Sequence, residues 1–388
     1  MRIAIFESIT TPGGHEVDFD RILTDELQAL GHEVKFYVPK NFIFNFDYKV
    51  DVEYLPGEAV SYTGMRGIRK NLVAIKREFN RQRWYRAIYD KAISHDVDAV
   101  IVPTSTHRYL RALNINKLRK SPIPIIFILH GINPKESANF FSAVENSQNY
   151  PNIHAVVLTF TDQIFGRTFP NVTCINPPAY IPRDIDTNIQ ESKNDSKQVL
   201  KLGFFGQYRR EKKLEVFLDA FLSGKYECPI QLLVQGSTTN PDDEEDFNRI
   251  INKYSGCSQI EFLHKGLFGK SWQQAIAAID VLLMPYAAPR YRYHWGGMLF
   301  TAIGFKKSVV MSSEINPEVI EKYRIGMTYD SNIPGDLQKT IETFINSYQE
   351  NASTYAYELE RAYHDYHPHL FAEHVVDIIA STKAKAGS

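Results

Sequence analysis

Several short stretches of this sequence gather groups suited to holding an anion. Residues 206–213 read GQYRREKK after an apolar run, so Arg209, Arg210, Lys212 and Lys213 form a cationic turn behind Gly206, where a strand gives way to a helix. Guanidinium and ammonium groups beside free backbone N–H donors suit a phosphate. A solvated basic turn uses the same four charges. Residues 294–298, HWGGM, set Gly296 and Gly297 at the head of the helix-like MLFTAIGF, downstream of Arg290 and Arg292. The exposed N–H groups of a helix start offer a second grip on an anion; a loop with its arginines in water is the alternative. Residues 11–16, TPGGHE, lie between the strand-like run Arg2 to Phe6 and a helix, which joins the Gly13–Gly14 turn to a positive helix end. His130 closes the apolar run IPIIFIL, and a histidine at a strand's carboxyl end faces the ligand crevice of an open α/β sheet, or else is a hydrogen-bonded part of the core.

Such groups need a scaffold, and the chain spells one out twice. Apolar runs (RIAIF, HEVKFYV, DAVIVP, IPIIFIL, AVVLTF, then LKLGFFG, IQLLVQG, IEFLHKG, DVLLMPY, SVVMS) alternate with helix-like segments, the pattern of parallel sheets covered by helices. A length of 388 residues favours two domains over one. The pattern fails in the proline- and charge-rich stretch before residue 199, which predicts an N-terminal domain over 1–180, a linker over 181–198 and a C-terminal domain over 199–365. DLQKTIETFINSYQ and YAYELERAYHDY predict two helices near the end. Residues 366–388 predict a last helix that either crosses to the first domain or stays on its own, followed by an unstructured KAKAGS tail.

The composition excludes several classes. With 44 basic and 45 acidic side chains the net charge is -1, which gives no global attraction to nucleic acid. Three cysteines without a Cys-x-x-Cys pair supply neither a disulfide framework nor a zinc knuckle. His364, His367 and His369 are interrupted by Pro368 and lack a partner set, so no metal site is expected. IPIIFIL falls far short of the ~20 apolar residues that cross a bilayer, and the expectation is a cytoplasmic protein. Residues 66–91 stand out: Arg66, Arg69, Lys70, Lys76, Arg77, Arg81, Arg83, Arg86 and Lys91 face only Glu78 and Asp90, interleaved with apolar residues at helical spacing. Such a helix predicts contact with an anionic membrane surface; a core-packing helix with a basic outer face, or a groove for an acidic acceptor or partner, is the alternative.

Read in order, GGHEVDFDRILTDELQALGHEV, ILHGINP, LGFFGQYRREKKLEVFLDAF, QLLVQGS, IEFLHKGLFGKSWQQAIAAIDVLLMPY and NPEVIEKYRIGMTYD resemble the GT-B glycosyltransferases, especially the retaining family-four type, over nearly the whole chain. The resemblance implies two doubly wound, Rossmann-like domains facing each other across a cleft. It implies transfer of a sugar, with retention, from a nucleotide-diphosphate sugar to a glycan, glycolipid or glycoprotein acceptor. No metal and no cofactor other than that co-substrate is implied, and a homo-oligomer is compatible with it. His130 would touch the donor sugar, and Lys212 with Arg209 or Arg210 the diphosphate. Gly13, Gly14, Gly206, Gly236, Gly296 and Gly297 would let the backbone approach the donor, with Lys265 and Leu267 at the base and Thr301 at a ribose hydroxyl, unless that hydroxyl bonds its own helix.

The departures from the family are equally specific. Gln207 stands where a phosphate-binding arginine is expected, and Tyr293 or His294 with Thr301 stand where the family carries two glutamates. Two further readings therefore stay open: an inverting enzyme with His15 as general base, and a weakly active or inactive partner of another transferase. A dinucleotide-binding dehydrogenase is a poorer fit, because TPGGHE lacks the three-glycine spacing.

Overall fold

The computed structural model describes residues 1–9, 15–44, 46–60, 67–183, 185 and 199–387. The predicted loop positions Gly13 and Gly14, Arg66 and most of the predicted linker lie outside these residues. The chain divides into two units. Unit 1 comprises Met1–Pro177, Tyr293–Trp295 and Pro368–Ser388, and unit 2 comprises Pro178–Arg292 and Gly296–His367.

Unit 1 is built on seven parallel strands: β1 (Arg2–Phe6), β2 (Glu33–Pro39), β3 (Asp51–Leu55), β4 (Ala99–Ser105), β5 (Ile125–Leu129), β6 (Ile153–Leu158) and β7 (Val172–Ile175). Their order is β3-β2-β1-β4-β5-β6-β7, with Ile3 opposite both Val34 and Ala99. All five residues of β5 are buried, as expected of a strand with helices on both faces. Helices α1 (His15–Ala29), α2 (Gly67–Ile93), α3 (His107–Ala112) and α4 (Ser137–Ser147) alternate with the strands. Because sheet order reverses between β1 and β4, adjacent connections leave to opposite sides there and open a crevice at the carboxyl ends.

Unit 2 repeats the plan with six strands in the order β10-β9-β8-β11-β12-β13. These are β8 (Leu200–Phe204), β9 (Ile230–Gly236), β10 (Ile260–His264), β11 (Val281–Met284), β12 (Ser308–Ser312) and β13 (Gly326–Tyr329). Helices α5 (Leu214–Ser223), α6 (Pro241–Tyr254), α7 (Gly269–Ala277), α8 (Gly297–Gly304), α9 (Pro317–Tyr323) and α10 (Asp336–Asp365) connect and cover them. The reversal falls between β8 and β11, whose carboxyl ends carry Gly206 and Tyr286.

The structure corrects three expectations. DLQKTIETFINSYQ and YAYELERAYHDY are one helix, α10, since the intervening ENAST holds no proline or glycine to end it. The last helix, α11 (Pro368–Gly387), takes in all but the final residue of the tail read as unstructured, because alternating Lys and Ala are good helix formers. It packs on α1, with a hydrogen bond of 3.3 Å between His369 Nδ1 and a carboxylate oxygen of Glu26. Third, Arg81 is no part of the basic surface: it is 4 % exposed, pairs with Glu78, and its guanidinium lies 4.4 Å from the Tyr109 ring centre.

Helix α2 has two unlike halves. Trp84, Tyr85, Ile88 and Ala92 are buried against the sheet, whereas Leu72, Ile75 and Phe79 are 61 %, 68 % and 63 % exposed. At ~1.5 Å per residue the helix runs about 40 Å, roughly twice a strand of this sheet, so its first half extends beyond what the strands can cover. Among the described residues no helix is long and apolar enough to cross a membrane.

Candidate functional site

In unit 2 the chemistry gathers at the strand-order reversal. Gly206 follows β8 with φ +104, a conformation that side chains rarely adopt, and its N–H donates to the Gln235 side chain at 3.0 Å. The chain then makes a short 3-10 turn, Arg210–Lys212, which folds Lys212 back under the strand end. Lys212 is 8 % exposed, and its ammonium lies 5.3 Å from the Phe204 ring centre and 4.9 Å from that of Tyr286. Among the described residues no carboxylate forms an ion pair with it. Burial, reinforced by Arg209 and Arg290, pulls its pKa down to about 7, with only Glu211 acting in the other direction. A cation kept in this state between two rings is stabilised in part by their π faces, and an arriving anion would complete its surroundings.

Arg209 and Arg290 lie at the rim of the same region, both beside Glu211, at 3.7 and 2.9 Å. Gln207 supports the rim as a neutral group: its amide donates to the Thr239 hydroxyl at 2.6 Å and its amide oxygen accepts from the Arg209 guanidinium at 3.3 Å. Arg210 turns to α6 instead: its backbone N–H bonds Asp243 at 3.2 Å and its guanidinium the Asp242 carbonyl. Lys213 takes the left-handed conformation, φ 50, ahead of α5. Gly236 is required for packing, since a Cβ there would lie 2.8 Å from the Phe247 ring. Lys265 offers its carbonyl to Gln235 at 2.5 Å, and Leu267 is half-buried in the following turn.

At the start of α8, a Cβ on Gly297 would meet nothing within 4 Å, whereas one on Gly296 would press on Asn316 at 3.0 Å. Thr301 is 4 % exposed and its hydroxyl donates to the Gly297 carbonyl at 2.9 Å, the backbone-bonding alternative to a ribose contact. Arg292 is engaged by Glu318 at 2.9 Å.

In unit 1 the reading centres on His130, immediately after β5. It is 7 % exposed, and its Nε2 donates to the Pro103 carbonyl at 2.9 Å, which fixes that nitrogen as the protonated one. Its ring meets Phe19 and Trp295 edge-on, at 4.6 and 5.0 Å between centroids. The next residue, Gly131, has φ +102 and forms an antiparallel bridge with His294; Trp295 N–H bonds the His130 carbonyl at 3.0 Å, and Ile132 N–H the Tyr293 carbonyl at 2.8 Å. Tyr293 and His294, matched in sequence to a family glutamate, thus join the Gly131–Ile132 segment through their backbone. His15 opens α1.

Sequence reasoning passed over Phe204, Tyr286, Glu211 and Trp295 as site residues. The first two end apolar strands and read as core. Glu211 reads as one charge in a charged turn, and only HWGGM, already singled out for its glycines, signalled Trp295.

No family model matches the chain, and no curated protein matches it in sequence. Solved structures do. HepE of Anabaena, solved with UDP and glucose, aligns with a TM-score of 0.69 at 16 % identity, over 98 % of this chain and 100 % of HepE. The chain has the GT-B fold. Sucrose-phosphate synthase from Thermosynechococcus elongatus aligns at 0.67 and 12 % identity over 99 % of both chains. WaaG, described as a glycosyltransferase involved in lipopolysaccharide biosynthesis, aligns at 0.61 and 16 % identity over 97 % of this chain and 99 % of WaaG. Fold alone does not carry chemistry; on a GT-B scaffold the reaction has to be argued from residues such as Lys212 and His130.

Proposed function

We propose that this protein is a metal-independent glycosyltransferase that moves a sugar from a nucleotide-diphosphate sugar to a glycan, lipid-linked or protein acceptor, with retention. The observation that carries the reading is Lys212, a buried ammonium with two arginines above it at the strand-order reversal of unit 2. As the glycosidic bond breaks, negative charge grows on the departing diphosphate, and cations already in place at low local dielectric stabilise it most. Lys212, Arg209 and Arg290 would take that charge. His130, held by Pro103 and its two aromatic neighbours, would position the donor sugar, and the turn at Lys265 and Leu267 would meet the base. HepE, solved with UDP and glucose, is consistent with such a donor. The test is release of nucleoside diphosphate from UDP-, ADP- and GDP-sugars in the presence of glycan and lipid-linked acceptors. Turnover that persists after chelation of divalent ions supports the reading, and turnover abolished by it contradicts metal independence.

The low pKa of Lys212 makes donor binding depend on pH. A diphosphate favours the charged ammonium, so the pKa rises in the complex and a proton is taken up on binding wherever the free amine is neutral, above about pH 7. Affinity is expected to be flat just below pH 7 and to fall by up to ~10-fold per pH unit above it. Calorimetry in buffers of differing ionisation enthalpy reads this directly. Constant affinity with no proton uptake between pH 7 and 9 would show that Lys212 stays charged throughout or does not meet the diphosphate.

We also propose that the exposed half of α2 rests on an anionic membrane at the cytoplasmic face. Leu72, Ile75 and Phe79 recur at i, i+3 and i+7 on one helix face, with the exposed Lys76, Arg83 and Arg86 nearby. Apolar side chains would enter the interface while each basic residue adds ~1 kcal/mol near anionic lipid. Binding to phosphatidylserine vesicles is expected to drop at least tenfold when Arg83 and Arg86 become glutamate and to persist less strongly on neutral vesicles. Equal partitioning onto both, unaltered by the substitutions, would rule this contact out.

A further inference from the structure

Glu211 is placed differently from the other carboxylates of the cationic turn's surroundings. Its Oε1 lies 2.9 Å from the Arg290 guanidinium and 3.7 Å from that of Arg209, and accepts a hydrogen bond from the Tyr291 hydroxyl at 3.2 Å. One oxygen thus accepts the phenol's hydrogen bond and pairs electrostatically with two guanidinium groups, drawn from the turn behind β8 and the turn behind β11. The Tyr291 ring packs 4.9 Å, between centroids, from Tyr286, the ring that also faces the Lys212 ammonium. Two guanidinium groups and a phenol converging on a single anionic oxygen form a donor set that equally suits a non-bridging phosphate oxygen.

We propose that Glu211 is an internal stand-in for a phosphate oxygen of the donor. In the free protein it holds Arg209 and Arg290 together and offsets one of their two positive charges; an arriving diphosphate displaces it and takes over both. The inference rests on the glycosyltransferase reading and adds a selection rule to it. Because a charged ligand has to displace a carboxylate, the exchange grows more favourable with ligand charge, so the site prefers a nucleoside diphosphate to the less charged monophosphate. The exchange also leaves the two arginines in order before the donor arrives, which limits the entropy lost on binding.

The test compares wild type, Glu211→Gln and Glu211→Asp by calorimetry with UDP, ADP, GDP and the matching monophosphates, at low and high salt (about 0.05 and 0.5 M). Glutamine keeps an acceptor for Tyr291 and Arg290 but removes the competing charge. It is expected to bind the preferred diphosphate about tenfold more tightly at low salt, with a larger gain for the monophosphate and most of both gains lost at high salt. Aspartate keeps the charge and is expected to restore the wild-type preference for diphosphate. Weaker or unchanged binding by Glu211→Gln, with wild type binding normally, would overturn the stand-in role and leave Glu211 as a plain structural partner of the arginines. Failure of wild type and variants alike to bind any of the nucleotides would overturn the donor reading itself, and this inference with it.

Discussion

Lys212→Met is expected to abolish turnover and at the same time to stabilise the free protein. The two effects share one cause. Holding an ammonium at the strand ends of unit 2, with its pKa drawn from 10.5 down to about 7, opposes folding, because the unfolded chain keeps the proton at full hydration. Below about pH 7 the group is charged in both states and the whole cost is present. Between pH 7 and 10.5 the folded protein carries a neutral amine while the unfolded chain still binds a proton, so wild-type stability rises with pH across that window. The shift sets an upper bound of roughly 4 to 5 kcal/mol, offset in part by the contacts with Phe204 and Tyr286. Methionine has a similar length and packs well against rings. A gain of about 2 kcal/mol at neutral pH, or roughly 5 °C in melting temperature, is therefore expected, shrinking towards pH 10. Turnover should fall at least ~100-fold, since a cation aimed at a developing diphosphate acts mainly in the transition state. Thermal melts at pH 6, 7 and 9 beside steady-state assays decide it. A variant that is both less stable and fully active would contradict the role given to Lys212.

Gly131→Ala is expected to be among the most damaging single-methyl changes in unit 1. A Cβ at Gly131 would lie 2.2 Å from the Tyr293 carbonyl oxygen and 2.4 Å from the His294 Cα, both backbone atoms, in a residue whose φ is +102. Neither atom can swing aside as a side-chain tip would. The bridge to His294 has to open, taking with it the hydrogen bonds of Ile132 and Trp295 and the packing of Trp295 on His130. Left-handed strain and lost hydrogen bonds together suggest ~3 kcal/mol, with activity down by at least ~10-fold because His130 loses one of the rings that hold it. Gly31→Ala is the control: φ is +79 but nothing lies within 4 Å, so only the strain of about 1 kcal/mol applies and activity should survive. Denaturant melts and assays of both variants separate crowding from strain; equal behaviour would show that the Tyr293–Trp295 segment gives way without consequence.

The sheets were readable because their central strands are buried on both faces and therefore spell unbroken apolar runs, as in IIFIL of β5 and SVVMS of β12. The strands β3 and β7, the two edges of the unit 1 sheet, passed unnoticed for the opposite reason. DVEYL has only its leucine buried and VTCI only its isoleucine, so neither carries the pattern. The cations of the unit 2 turn were legible as a group, but their division was not. That Lys212 turns inward while Arg210 binds α6 depends on the left-handed Gly206 and on a three-residue 3-10 turn, and side-chain direction within such a turn leaves no periodicity to read. Phe204 and Tyr286 looked like core because they are core: the same rings that close the strand ends also face the ammonium. Arg81 misled for the same local reason, as a guanidinium stacked on Tyr109 and one in water have the same sequence signature.

Donor binding itself is the most direct test of the account. Melting temperatures of wild type and Lys212→Met should be recorded against a panel of UDP-, ADP-, GDP- and dTDP-sugars and their free diphosphates, since a ligand that binds only the folded protein raises its apparent stability by mass action. The account predicts that at least one nucleotide class raises the melting temperature of wild type in proportion to the logarithm of its concentration, and that Lys212→Met, although folded and more stable, shows little or none of that rise. A wild-type protein that melts cooperatively and is unmoved by every nucleotide at millimolar concentration, or a Lys212→Met variant that responds as strongly as wild type, would contradict it.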